Sequence, residues 1–220
     1  MTRTGYIMEF RVSGNSRCFP STGPIGVAVA CLIDKEGKAT HTYKNPMGLI
    51  DNPANSQRAT LSAIILALEK VLELHEELKV HSQLNVSIAT DSPSARHCMT
   101  YSLKHYFLDG WRNSRGESVV NWDLLARIVT LEKRVRSLGN LAYNYVPEHY
   151  NTIARNASEE ALENFRLEVL RSLSLAQPAS RGSMFEEREE NNNSNNNVDN
   201  GKHETAVNHV QDTEASASGS

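Results

Sequence analysis

Two stretches of the chain end apolar runs with groups able to do chemistry. Ile88-Ala89-Thr90-Asp91-Ser92 closes on an acid and a hydroxyl, and Asn55-Ser56-Gln57-Arg58-Ala59-Thr60-Leu61 sets four polar side chains at the head of an amphipathic segment. Downstream, Val146-Pro147-Glu148-His149 puts a histidine at another strand end, and Glu159-Glu160 is an acidic pair in a helical pattern. Each group also has an ordinary structural use. Asp91 suits a helix N-cap ahead of Pro93, and His149 suits a surface loop. Glu159 and Glu160 suit a solvated first turn, where the helix dipole favours acids. Lys104-His105-Tyr106 with Trp111-Arg112 is basic and aromatic, as contacts to a nucleic-acid backbone require, although Trp111 equally suits core packing. His75, His97 and His105 show no ligand spacing, and Cys18, Cys31 and Cys98 are widely spaced and odd in number, which suits reduced thiols.

The elements that must position these groups are legible in the apolar pattern. Tyr6–Val12 reads as a strand, and Pro20–Pro24 as a turn. Ile25–Ile33 is a near-continuous apolar run, expected of a strand covered on both faces. Asp34-Lys35-Glu36-Gly37 is a turn before a third strand through Thr40–Tyr43, which completes an antiparallel meander. Asn55 caps a helix whose buried face is Leu61, Ile64, Ile65, Leu68, Val71 and Leu72. Leu84–Ala89 is a strand, and strand–helix–strand order implies a parallel neighbour. One helix follows Pro93, another spans Trp122–Leu138, a fifth strand spans Leu141–Val146, and a last helix spans Thr152–Ser174 with Ile153, Ala157, Ala161, Phe165 and Val169 in register.

Composition sets the remaining bounds. The 220 residues suit one domain over residues 1–175 followed by a tail. Seven of residues 191–200 are Asn, and residues 176–220 hold eight acids against three bases, a disordered, acidic, Asn/Ser-rich composition. The first 175 residues then carry +2 against −3 for the whole chain, which is compatible with a local basic face. No apolar h-region follows the first residues and no run is long enough to span a membrane, so the expectation is a cytoplasmic or nuclear protein.

Several segments together resemble the type 1 ribonuclease H family. Gln57-Arg58-Ala59 resembles its QRA, and Thr90-Asp91-Ser92 its TDS. Gly110-Trp111-Arg112-Asn113-Ser114, Gly116-Glu117 and Val119-Val120-Asn121 resemble its GWK-x-S and GE-x-V-x-N segments. Asn121-Trp122-Asp123-Leu124-Leu125 opens the next helix similarly, and Val146-Pro147-Glu148-His149 is similar to its V-x-G-H. The likeness covers roughly Glu9–Leu162, and Pro46-Met47-Gly48-Leu49 resembles fungal members. It implies an α/β, ribonuclease H-like fold: a five-stranded mixed sheet, three strands in an antiparallel meander plus parallel strands, flanked by helices and followed by a disordered C-terminal tail.

The resemblance implies a site of four carboxylates holding two divalent metals about 3.5–4 Å apart. Asp91 keeps one acid, and Glu159, ten residues after His149, keeps another as a longer side chain. Ser13, in Ser13-Gly14, and Thr60 stand where the family has acids. Glu9 shares the strand face of Ser13 but lies about 13 Å along it, too far to substitute. His149 corresponds to a product-release histidine. The resemblance also implies nucleic-acid contacts from Asn55, Ser56, Gln57, Tyr106, Ser114 and Asn121.

Three functions follow as expectations. The first is a catalytically degenerate homologue that still binds RNA–DNA hybrid or structured RNA. The second is a weak endonuclease in which Asp91 and Glu159 hold Mg²⁺ or Mn²⁺ with help from substrate phosphate. The third is a protein-interaction module that engages a partner through the scaffold and the C-terminal tail.

Overall fold

The computed structural model describes residues 5–48, 55–78 and 83–175. The tail at 176–220, with its expected disorder and partner-binding role, lies outside the described residues.

Strand β2 (Gly23–Ile33) is buried along most of its length because helices cover both of its faces. Ala28 and Ala30 face one core, whereas Ile25, Val27, Val29, Cys31 and Ile33 face another. That is the physical origin of its unbroken apolar run. β2 pairs antiparallel with β1 (Tyr6–Phe19) and with β3 (Ala39–Met47). β1 also pairs in parallel with β4 (Leu84–Thr90), which pairs in parallel with β5 (Gly139–Tyr145). The result is a five-stranded mixed sheet of order β3-β2-β1-β4-β5, with the antiparallel meander and parallel strands expected from the sequence.

On one face lie α1 (Ser56–Leu78) and α4 (Trp122–Leu138). Leu61, Ile64, Leu68 and Val71 of α1 pack with Leu125, Ile128 and Val135 of α4 over Phe10, Val12 and Ile88. Each such side chain contributes about 1.5–3 kcal/mol on burial. α5 (Thr152–Leu175) lies on the opposite face, against β1, β2 and β3. Its buried stripe is Ala154, Ser158, Ala161 and Leu162, with Phe165 half-buried, rather than the expected stripe beginning at Ile153, which is exposed. The stripe is offset because Ser158 turns toward Ser13 on β1. α5 leaves β4 and β5 open on this face, and their outward side chains are accordingly polar, with Asn140 donating to Asn85 and Asn144 to Ser87.

Three boundaries differ from the sequence expectation. β1 runs past Val12 to Phe19, because β2 continues to supply backbone partners to the polar stretch Ser13–Cys18. β3 runs past Tyr43 and takes in Pro46, which an edge strand tolerates because a missing N–H there breaks no ladder. The segment after Pro93 is not one helix. α2 (Pro93–His97) passes through a π-helical turn (Cys98–Ser102) into α3 (Leu103–Leu108), with Ala95, Met99 and Leu103 facing the core.

Gly14 decides how closely β1 and α1 approach. A Cβ there would lie 2.1 Å from the Ala59 carbonyl carbon and 2.1 Å from the Thr60 nitrogen, so only glycine lets the first turns of α1 rest on β1.

Candidate nucleic-acid interface

The closeness at Gly14 sets the backbone of Thr60 against β1, one residue from Ser13. Val12, one residue earlier, pairs with Thr90 at the end of β4, so Asp91 emerges next to the same point. The start of α5 is tied there too, since Asn151 is buried and its Nδ2 donates to the Val12 carbonyl at 3.1 Å. Ser13, Thr60, Asp91 and the first turns of α5 therefore come from four elements that meet at one end of the sheet.

The chemistry at that meeting point is largely self-satisfied. Ser13 is buried, and its hydroxyl shares a hydrogen bond with the Ser158 hydroxyl at 3.1 Å. Ser158 donates in turn to the Arg155 carbonyl at 2.8 Å. Thr60 is buried, and its hydroxyl donates to the Ser56 carbonyl at 2.9 Å within its own helix. Asp91 is not the cap of α2; Ser92 is, accepting from the Ala95 amide at 3.2 Å. The Asp91 carboxylate, mostly buried, accepts instead from Arg155 Nη1 at 2.9 Å, and the same nitrogen lies 3.4 Å from Glu148. The Asp91 hydrogen bond, aided by the charges of Glu148 and Glu159, raises the pKa of the Arg155 guanidinium, which therefore stays charged.

Glu159 sits two turns inside α5 rather than in its first turn. It accepts two hydrogen bonds from Arg17, at 2.9 and 2.8 Å, and Glu160 lies 3.5 Å from Lys44. Both acids thus pair with strand residues instead of depending on the helix dipole. His149 is exposed in a 3-10 turn (Glu148–Tyr150) with its ring 4.3 Å from that of Tyr150.

This donor set does not fit a pair of divalent cations. Mg²⁺ takes hard oxygens in near-octahedral array and relies on free carboxylates for its hold on the protein. Ser13 and Thr60 bring no charge and already spend their hydroxyls, and each remaining acid is neutralised by a guanidinium. Among the described residues no group of three or more His, Cys, Asp and Glu is arranged to hold a metal ion.

The expected nucleic-acid contacts separate into two groups. Asn55 caps α1, its Oδ1 accepting from the Arg58 amide at 2.8 Å. Ser56 and Gln57 follow on the exposed first turn, with Ser56 Oγ 3.4 Å from Ser16 Oγ. Across the helix pair, Asn121 is buried and its Oδ1 accepts from Arg58 Nη1 at 3.1 Å. Arg58 also clamps Asp123 through both nitrogens, at 3.0 and 2.7 Å. The hydrogen bond from Arg58 holds the Asp123 carboxyl below its ordinary pKa. Asn121 thus joins Asn55–Gln57 through Arg58. Tyr106 and Ser114 sit apart. Tyr106 is half-buried against the core, and Ser114 is exposed in the loop between α3 and α4.

That loop is a small hairpin bracketed by two strained residues. Trp111 and Asn121 both take left-handed backbone angles, φ 64° and 61°. Asparagine tolerates this conformation, whereas for a tryptophan it must be held by its surroundings. Trp111 is so held: its amide donates to the Tyr106 carbonyl at 2.7 Å and its ring meets Phe107 edge-on at 5.9 Å. It packs against the core, in line with its structural reading.

Reasoning from the sequence did not single out Arg17, Arg155 or Ser158. A signal existed for two of them. Arg17 lies four residues after Ser13 on the same strand face, and Arg155 lies one helical turn before Glu159.

No family model matches the chain, and no curated protein matches it. Solved structures do share its fold. A foamy viral protease–reverse transcriptase in complex with dsDNA is similar over 74% of this chain and 96% of that one, with a TM-score of 0.57 at 16% identity. The RNase H domain of PFV, solved in solution, is similar over 73% and 96%, with a TM-score of 0.54 at 16% identity. LC11-RNase H1 in complex with RNA/DNA hybrid is similar over 72% and 99%, with a TM-score of 0.53 at 18% identity. The chain therefore has a ribonuclease H-like fold.

Proposed function

We propose that this chain is a nucleic-acid-binding protein built on a ribonuclease H-like scaffold, which binds RNA–DNA hybrid or structured RNA and has lost most or all endonuclease activity. The observation that carries this reading is the occupation of the four site positions. Two are neutral hydroxyls engaged within the protein, and two are acids paired with arginines. A reaction that depends on several carboxylates acting as a unit falls close to background when half are missing. Binding makes no such demand. The exposed polar turn Ser56–Gln57 and the basic residues Lys104, Arg112 and Arg115 can contact a sugar–phosphate backbone. Solved proteins of this fold are in complex with RNA/DNA hybrid and with dsDNA, which supports nucleic acid as the ligand class.

The test is a paired measurement on the full chain. Binding of labelled RNA–DNA hybrid, structured RNA and duplex DNA is followed by anisotropy across a salt series, and cleavage is followed in Mg²⁺ and in Mn²⁺. The expected result is hybrid or RNA binding that weakens linearly in log–log salt, with no cleavage. Metal-dependent cleavage that Asp91→Asn abolishes would show instead that Asp91 and Glu159 suffice for a weak nuclease. Absence of binding to all three ligands would leave the scaffold to protein partners.

A further inference from the structure

The arginine held by Asp91 has unused donors. Both carboxylate contacts of Arg155, to Asp91 at 2.9 Å and to Glu148 at 3.4 Å, fall on Nη1. Among the described residues Nη2 and Nε have no hydrogen-bond acceptor, and the side chain is 44% exposed. A guanidinium is a planar fork suited to phosphate, and here one prong is anchored while the rest faces solvent. The geometry points to Arg155 as a built-in cation that takes the place of a divalent metal at Asp91 and offers its free N–H groups to a backbone phosphate oxygen of bound nucleic acid.

Three observations support this assignment. Asp91 is mostly buried, so it holds Arg155 in a defined place rather than as a loose surface pair. The first turns of α5, which carry Arg155, are fastened to β1 by the buried Asn151 and by the Ser158–Ser13 hydrogen bond, so the guanidinium is presented from a rigid base. A second arginine, Arg17, occupies Glu159 with two hydrogen bonds, which removes the other acid from competition for a metal. A divalent ion entering beside Asp91 would meet a fixed positive charge.

The phosphate contact rests on the nucleic-acid-binding reading, whereas the metal replacement does not, and two assays separate them. Mn²⁺ binding to the full chain without nucleic acid is read from water-proton relaxation. Hybrid affinity is compared in EDTA and in Mg²⁺ for the natural chain, Arg155→Gln and Arg155→Lys, with circular dichroism confirming the fold of each. The expected result is no saturable Mn²⁺ site and no gain in hybrid affinity in Mg²⁺ over EDTA, since Mg²⁺ then acts only as a competing counterion. Arg155→Gln should bind hybrid about fivefold more weakly. Its log–log salt slope should be smaller by about 0.9, the value of one phosphate contact, while Arg155→Lys keeps the slope. A saturable Mn²⁺ site that Asp91→Asn removes would overturn the replacement. Hybrid binding that Arg155→Gln leaves unchanged in strength and slope would overturn the phosphate contact while leaving the wider reading intact. No binding of hybrid, structured RNA or duplex DNA by the natural chain would overturn the wider reading and the phosphate contact together, with the metal question still decided by Mn²⁺.

Discussion

Substituting Gly14 by alanine tests the contact on which the site is assembled. The added Cβ would sit 2.1 Å from the Ala59 carbonyl carbon, 2.1 Å from the Thr60 nitrogen and 2.5 Å from the Ala59 oxygen. All three atoms are backbone, so no side chain can rotate away. Reaching ordinary contact at 3.4 Å requires β1 and α1 to part by about 1.3 Å, the gap between 3.4 and 2.1 Å. α1 cannot yield freely, because its buried face packs into the main core with Phe10 and Ile88. Overpacking a well-filled core costs about 1–3 kcal/mol, and a clash of backbone on backbone belongs at the upper end. For a domain of this size each kcal/mol lowers the melting temperature by about 2–4 °C, so Gly14→Ala should melt about 6–12 °C lower. Thermal and urea unfolding by circular dichroism give the answer, with the urea m-value reporting whether the same structure unfolds. A melting temperature within about 2 °C of the natural chain, at unchanged m, would show that β1 and α1 do not touch at Gly14. The Thr60 backbone would then not rest on β1 next to Ser13.

Two further outcomes follow from perturbed groups. Asp123 is held below its ordinary pKa chiefly by the Arg58 hydrogen bond, so its contribution to stability is full above the unfolded-state value of about 3.9 and is lost as pH falls through the lower folded value. The melting difference between the natural chain and Asp123→Asn should therefore be constant from pH 7 to about 5 and shrink below about 4; a difference that persists undiminished to pH 2 would refute the ion pair. Burial pushes the Cys98 thiol up to about 11, whereas Cys18 is exposed. At pH 8 only about one Cys98 in a thousand is thiolate, so iodoacetamide should label native Cys18 long before Cys98; equal labelling rates by peptide mass spectrometry would contradict that burial.

Much of the architecture was legible from residues alone because it follows from local periodicity. The apolar run Ile25–Ile33, the 3, 4, 7 spacing from Leu61 to Leu72, and the Trp122–Leu138 helix all reappear within a residue or two. Asn55 was legible as a cap because capping is decided within a few residues. What local pattern cannot carry is partner choice. β1 continues to Phe19 through polar residues because β2 is there to pair with it, and Pro46 lies in a strand because that strand is an edge. Asp91 reads as a cap until Ser92 is seen to take that role.

The chain by itself determined which groups a site can contain: two acids, Asp91 and Glu159, two hydroxyls, Ser13 and Thr60, and the polar turn Asn55–Gln57. Only the tertiary structure decided what state those groups are in. Arg155 and Asp91 are 64 residues apart, and Arg17 and Glu159 are 142 apart, yet each pair meets within hydrogen-bond distance. Charge pairing depends on separation in space, which falls out of sheet order and helix packing rather than from spacing along the chain. An acid free to bind a metal and an acid held by an arginine are the same letter in the sequence, and the fold alone distinguishes them.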